Sequence, residues 1–266
     1  MFKVRLASGV LLVLAILLLI FRGGSVLYVS VAAVSLIGMR ELYQAAGVHG
    51  EKMGVLEFAG YSGALLYYLA LWFGIETYGL LAVLAALILL MSVYVFTYPK
   101  YQAEQVMAAF FGIMYVAVML SFIYLTRVLE GGIYHVWLIF LCSWGCDTCA
   151  YCVGVLFGKH KMTPVLSPKK SVEGAVGGVA GAVLLGVLYA YFTKGSMAGY
   201  GVICGAGALL SMIGDLAASA IKRQTKIKDY GKLIPGHGGI LDRFDSVIFT
   251  APVIYFLVVV LAGRAL

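Results

Sequence analysis

The residues with the most chemistry in them lie between Asp215 and Ser246, in the run DLAASAIKRQTKIKDYGKLIPGHGGILDRFDS. Lys222, Arg223, Lys226, Lys228, Lys232 and Arg243 bring cations, and Asp229, Asp242 and Asp245 bring carboxylates. Asp215, Ser219, Lys222, Arg223 and Lys226 follow one another at i, i+4, i+7, i+8 and i+11, the spacing of one helix face. Asp215 precedes Lys222 by seven residues and is therefore about 10 Å deeper along that helix, at 1.5 Å per residue. The helix must break at Pro235-Gly236-His237-Gly238-Gly239, a loop whose glycines let backbone pass close to a ligand. A second helix then opens with Asp242, Arg243, Asp245 and Ser246, its two carboxylates sharing a face at i, i+3. A deep Asp on one helix thus meets two Asp at the start of the next, under a basic rim. Hard oxygen ligands beside clustered cations suit Mg²⁺ and a polyphosphate better than zinc.

The elements that must position these residues are membrane helices. The chain has 266 residues, 63% of them hydrophobic and 12% charged, with mean hydropathy +1.01. A soluble domain of this size cannot hide so much apolar surface. Apolar runs near the length that spans the bilayer core fall at about 4–21, 25–40, 57–74, 77–97, 105–126, 133–157, 173–193, 199–221 and 245–263. The first follows Lys3 and Arg5 like a signal peptide, but Phe21-Arg22 closes it without a small-residue cleavage site, so it is expected to stay as a helix. With the N-terminus inside, only Arg22, Arg127, Lys194 and Arg264 of the 19 Lys and Arg fall on the outer side. That asymmetry places the basic loops in the cytoplasm. The net charge of +7 needs no nucleic acid, since anionic headgroups and phosphate substrates account for it. No internal repeat of the transporter kind stands out.

Two polar loops are expected, 158–172 and 222–245. In the first, Ser167-Pro168 reads as an N-cap followed by Pro at N1, which puts Lys169 and Lys170 in the first turn of a helix. Lysines there oppose the helix dipole unless an anion binds; by spacing alone, anchor and anion site are equally good readings. Asp147 interrupts an apolar run, and an intramembrane carboxylate is a functional candidate as ligand, lysine partner or helix–helix contact. Cys142, Cys146, Cys149 and Cys152 lie in a helical line that cannot wrap zinc, so packing is the better account. Glycines between Gly174 and Gly186 show small-xxx-small spacing for close helix packing, without a P-loop ending. Arg40-Glu41 reads as a local charge pair closing the second helix, His49 and His135 as loop or interface residues, and His160 as a possible phosphate contact. Residues 1–130 are expected to form a scaffold that also offers lipid-facing surface or a homodimer interface, and 131–266 the catalytic region.

The C-terminal segment resembles the signature of phosphatidate cytidylyltransferases. That pattern is matched by Ser219, Lys222, Arg223, Lys228, Asp229, Gly231, Pro235, His237, Gly238, Gly239, Asp242, Arg243 and Asp245. Gly158 to Lys161 followed by Ser167 to Lys170, and Asp147-Thr148 with Ala150-Tyr151, resemble two further stretches of the family. The resemblance implies an all-α polytopic protein of about nine transmembrane helices in a bacterial inner membrane, with its active site at the cytoplasmic side of the C-terminal helices. It implies transfer of a cytidylyl group from CTP to phosphatidic acid. On that reading Asp215, Asp242 and Asp245 hold one or two Mg²⁺. Lys222, Arg223, Lys226, Lys228 and Arg243 grip phosphates, and Ser167, Lys169 and Lys170 form a second clamp. Gly238 and Gly239 offer backbone amides, His237 donates a hydrogen bond or relays a proton, and Ser219 and Asp147 line the site. Asp229 and Lys232 read as a solvated pair. A CTP-dependent kinase of a polyprenol or phytol is the nearest alternative. A cation-coupled transporter is less favoured, because the charges gather at one membrane face.

Overall fold

The computed structural model describes residues 2–262, which leaves Arg264 of the charge tally outside the described residues. The chain is helical nearly throughout. α1 (Phe2–Arg22) passes through Gly23 into α2 (Gly24–Ala45). α3 (Val55–Phe96) is one helical run broken at Gly74, whose φ of 136° divides it into spans Val55–Ile75 and Thr77–Phe96. α4 (Ala103–Gly112) continues through a π-turn, Ile113–Val118, into α5 (Met119–Val128), and α6 (Gly132–Phe140) through another, Leu141–Gly145, into α7 (Cys146–Phe157). α8 (Val172–Thr193), α9 (Met197–Gln224) and α10 (Leu241–Ala262) complete the bundle. Among the described residues eight spans are long and apolar enough to cross a membrane, and Leu6–Arg22 adds a shorter apolar helix. The chain is an all-α polytopic membrane protein, and each of the nine expected runs falls on a helix within the described residues. An α-helix satisfies every backbone group within its own segment, which is why single apolar runs of this length fold this way in hydrocarbon.

Contacts fix which ends lie together. Ser8 bonds Pro235 O, Glu41 bonds the backbone of Leu241, and Gln105 bonds Gly47 O at one end. Arg127 bonds Ile20 O and Tyr189 bonds Tyr134 O at the other. The polar loops therefore share one end of the bundle, called here the polar end. Beneath it, Leu42, Val116, Leu120, Leu241, Val247 and Ile248 from α2, the first π-turn, α5 and α10 are fully buried.

α7, α8 and α9 pack through small residues instead. A Cβ on Gly178 would strike Cys146 and Ala150 of α7, one on Gly181 would strike Cys149, and one on Gly207 would strike Cys142. The cysteines are free, and their line serves packing, as the spacing predicts.

The loop 158–172 departs from expectation. Ser167-Pro168 does not start a helix. Lys161–Thr163 (β1) and Ser167–Ser171 (β2) form an antiparallel hairpin, and α8 begins four residues later, capped by Ser171, whose side chain accepts from Gly174 N. Pro168, the second residue of β2, is tolerated because both strands of a two-stranded hairpin are edge strands and the register here is irregular. Lys169 and Lys170 consequently stand on a strand, not against a helix dipole.

Candidate functional site

The signature loop begins where α9 ends. Ile227 N bonds Lys222 O and Lys226 N bonds Arg223 O, the paired closing bonds of a Schellman motif. The left-handed position is filled by Lys226, at φ 59°, in place of the usual glycine, at a cost of about 1 kcal/mol. The chain then folds back on Asp242. One carboxylate oxygen accepts from Tyr230 N at 2.8 Å and Gly239 N at 3.0 Å, while the other holds Lys222 Nζ at 2.9 Å. Gly238, at φ 85°, brings the backbone so close that a Cβ would sit 2.7 Å from the Asp242 carboxylate. Tyr230 donates to Ala218 O, and burial, with Tyr115, Asp245 and Asp242 nearby, pushes its phenol well above the ordinary range, so it stays protonated for that role. Asp242 is thus the hub of the loop.

The far side of the hub is held by a residue that sequence reasoning assigned elsewhere. Glu41, 6% exposed, accepts from Ile240 N at 3.0 Å and Leu241 N at 2.8 Å, the first free N–H groups of α10. It is not a local charge pair with Arg40. Gly231 and Gly239 pass against it, each with no room for a Cβ. The signal was available: a carboxylate in the last turn of an apolar helix sits at the negative end of the dipole, which favours a cation.

A second group of carboxylates gathers from three helices. Asp147 of α7, Asp215 of α9 and Asp245 of α10 lie near enough to repel one another. Lys170 of β2 pairs with Asp215, Lys222 stands 4.0 Å from Asp245, and Arg243 acts on Asp147 electrostatically. Ser246 faces Asp147, and the Ser246 backbone N–H donates to Asp245. Around them the Tyr115 hydroxyl, Ser211 Oγ and Arg243 Nε are buried and, among the described residues, without hydrogen-bond partners. Ser211 precedes Asp215 by one helical turn, on the same face. Mutually repelling carboxylate oxygens beside unpaired donors suit a hard divalent cation carrying phosphate. Asp215 is paired with Lys170 and Asp245 accepts from Ser246 N, and among the described residues no three His, Cys, Asp or Glu side chains stand close enough to form a ready metal site. Asp242, included among the expected ligands, has both oxygens engaged in the loop.

Two cavities with charged residues in their linings lie beside this centre. One, about 430 Å³, is lined by Asp147 and Asp215 at its base and by Ser167, Lys169 and Lys170 of the hairpin. The other, about 510 Å³, is lined by Lys228, Asp229, Lys232, Gly238, His237 and Arg243. Arg243 belongs to the second cavity and reaches toward Asp147 of the first. Asp229 and Lys232, both exposed to solvent, line this cavity. His237 Nδ1 is 2.8 Å from Ser8 Oγ of α1. Ser219 is half-buried beneath the rim. Lys226 is exposed, and Arg223, also exposed, reaches across to Leu166 O of the hairpin at 3.4 Å, so neither meets the carboxylates. His160 is held by Glu173 at 2.6 Å.

The family model described as Cytidylyltransferase family matches residues 3–261. The chain is 30% identical over 270 residues to the phosphatidate cytidylyltransferase of Staphylococcus aureus (strain COL), an alignment spanning 97% of this chain and 99% of that protein. It is 28% identical over 267 residues to the protein of that name from Staphylococcus haemolyticus, with 97% and 99% covered. A match that runs through the signature loop, the hairpin and the helices bearing the carboxylates shows that this chain belongs to the cytidylyltransferase family.

Proposed function

We propose that the protein transfers the cytidylyl group of CTP to phosphatidate, giving CDP-diacylglycerol and pyrophosphate. The observation that carries the reading is the convergence of Asp147, Asp215 and Asp245 under Lys170, Lys222 and Arg243, between two cavities of a size for phosphate groups. The nucleophile is already an anion: a phosphate oxygen of the lipid attacks the α-phosphorus of CTP. The bond to the oxygen bridging the α- and β-phosphorus breaks, and pyrophosphate leaves with its electron pair. No proton must be removed, which is consistent with a site lacking a nucleophile–base pair. The task is to bring two anions together and stabilise charge as it moves.

In this reading Lys169 and Lys170 hold the triphosphate above Asp215. Arg243, between the cavities, contacts both phosphates as the new bond forms. Lys228 and Lys232 hold the lipid phosphate, and His237, steadied by Ser8, donates to it. Asp147, Asp215 and Asp245 would hold Mg²⁺, which would supply charge neutralisation to the triphosphate. Asp242 keeps Lys222 and the loop in place. On this reading the polar end faces the cytoplasm, where CTP is, an orientation that the Lys and Arg distribution supports.

The test is transfer of label from CTP labelled at its α-phosphorus into lipid by purified protein with phosphatidate and Mg²⁺. Label that appears only with phosphatidate, and is lost in Asp215→Asn, supports the reading. Folded wild-type protein that moves none overturns it.

A further inference from the structure

A third cavity lies in the membrane region, on the side of α10 away from the carboxylates. It is about 150 Å³ and has an apolar lining from α1, α2, α5, α6 and the start of α10. The one polar side chain in its wall, Ser30, spends its hydroxyl on Val26 O at 2.8 Å, so the slot presents hydrocarbon throughout. Along α1 it runs from Leu12 to Ile20, about 12 Å at 1.5 Å per residue. Its upper end is formed by Ile240 and Phe244. These two residues bracket Arg243 in the sequence, and Arg243 lines the basic cavity together with His237.

α1 forms the outer wall and is tied near its two ends. Ser8 bonds His237 and Pro235 O at the polar end, and Arg127 Nε bonds Ile20 O at 2.9 Å at the other. Between these ties it offers only apolar side chains, with Leu11, Leu14 and Leu18 turned out to the bilayer and Ile16 turned in.

We infer that this slot receives one acyl chain of the lipid substrate, whose phosphate rests in the basic cavity of His237 and Arg243. The inference rests on the proposed reaction and assigns its lipid subsite. A general annular lipid would lie on a flat outer face. This slot is walled by several helices, and two of its wall residues, Ile240 and Phe244, lie within three residues of Arg243 in the basic cavity. The nucleotide cavity has apolar wall residues of its own, among them Val155, Met162 and Met212, but none of its lining comes from α1, α2, α5 or α6. The arrangement places the lipid phosphate and the triphosphate on opposite sides of one guanidinium, as an in-line reaction between them needs.

The experiment uses wild-type protein in nanodiscs and a phosphatidate carrying a diazirine midway along one acyl chain. Irradiation is expected to label peptides of α1 and α2 around Ile16 and Val31, and unlabelled long-chain phosphatidate is expected to compete. Kinetics supply the second readout. In Ala15→Trp, which fills the slot from α1, the ratio of KM for long-chain to KM for six-carbon-chain phosphatidate rises about tenfold, the order expected when about two methylene groups lose burial. Leu11→Trp, on the outer face of the same helix, leaves that ratio unchanged. Labelling confined to other helices, or an unchanged ratio in Ala15→Trp, overturns the slot while leaving the reaction intact. Wild-type protein that transfers nothing to either phosphatidate overturns the reaction itself.

Discussion

Glu41 and Leu241, 200 residues apart, are joined by a 2.8 Å hydrogen bond from the Leu241 backbone N–H to Glu41 Oε2. With the parallel bond from Ile240, a carboxylate of the N-terminal half caps the helix that carries Arg243 and Asp245. Glutamine at this position can accept through one oxygen only, leaving a buried N–H unpaired at about 1–3 kcal/mol. Glu41→Gln is expected to melt lower in detergent and to lose kcat rather than affinity for CTP, because the triphosphate cavity lies on other elements. Steady-state kinetics separate the two, and a wild-type kcat in a destabilised variant would reduce Glu41 to scaffold alone.

Asp147 and Asp242 should respond in opposite directions. Asp147 belongs to a group of carboxylates that repel one another, whereas Asp242 holds Lys222 and two backbone N–H groups. Asp147→Asn is expected to melt at or above the wild-type temperature, and Asp242→Asn below it. Both should lose transfer by about 10²-fold or more. Thermal unfolding beside the label assay checks both variants, and a stabilised Asp242→Asn would contradict the hub assignment.

Chelation of divalent ions should stop transfer, and added Mg²⁺ should restore it. In Asp245→Asn the Mg²⁺ concentration giving half-maximal rate should rise by about tenfold or more, the scale on which lost ligation is felt. A Mg²⁺ dependence identical to wild type would remove Asp245 from the set.

Lys170 pairs with Asp215 within the hairpin-covered cavity, while Lys169 beside it is exposed. Lys170→Gln is expected to raise KM for CTP by about tenfold to a hundredfold, the worth of one charge-assisted bond to phosphate. Lys169→Gln should cost less. The reverse order would mean that the strand turns its other face to the nucleotide.

The α8 start offers a purely structural check. Ser171→Ala removes the side chain that accepts from Gly174 N and should cost about 1 kcal/mol, whereas Ser167→Ala should leave helix stability unaltered. Equal losses would return the cap to Ser167.

The membrane helices were legible because apolar length is a property of each segment by itself. The Asp215–Asp245 segment was legible because its residues are close in sequence as well as in space. The hairpin was not, since Ser167-Pro168 carries a genuine helix-start signal, and only the pairing of Thr163 with Ser167 overrides it. Asp147 could be singled out by its depth, but its neighbours Asp215 and Asp245 lie on other helices and leave no mark on its local sequence. Glu41 is the extreme case. Its partners are backbone N–H groups, which have no sequence identity at all, and only its unfavourable place at the end of α2 marked it.

The seam of α7 and α8, where Gly174, Gly177, Gly178 and Gly181 leave no room for a methyl group, has a mechanical consequence. Backbones in contact cannot slide without separating, so the wall that bears Asp147 transmits little of the bilayer's thickness or lateral pressure to the nucleotide side. α1, tied by Ser8 and Ile20 with apolar packing between, has no such seam. If a membrane of different thickness changes how this protein works, the change should enter through α1.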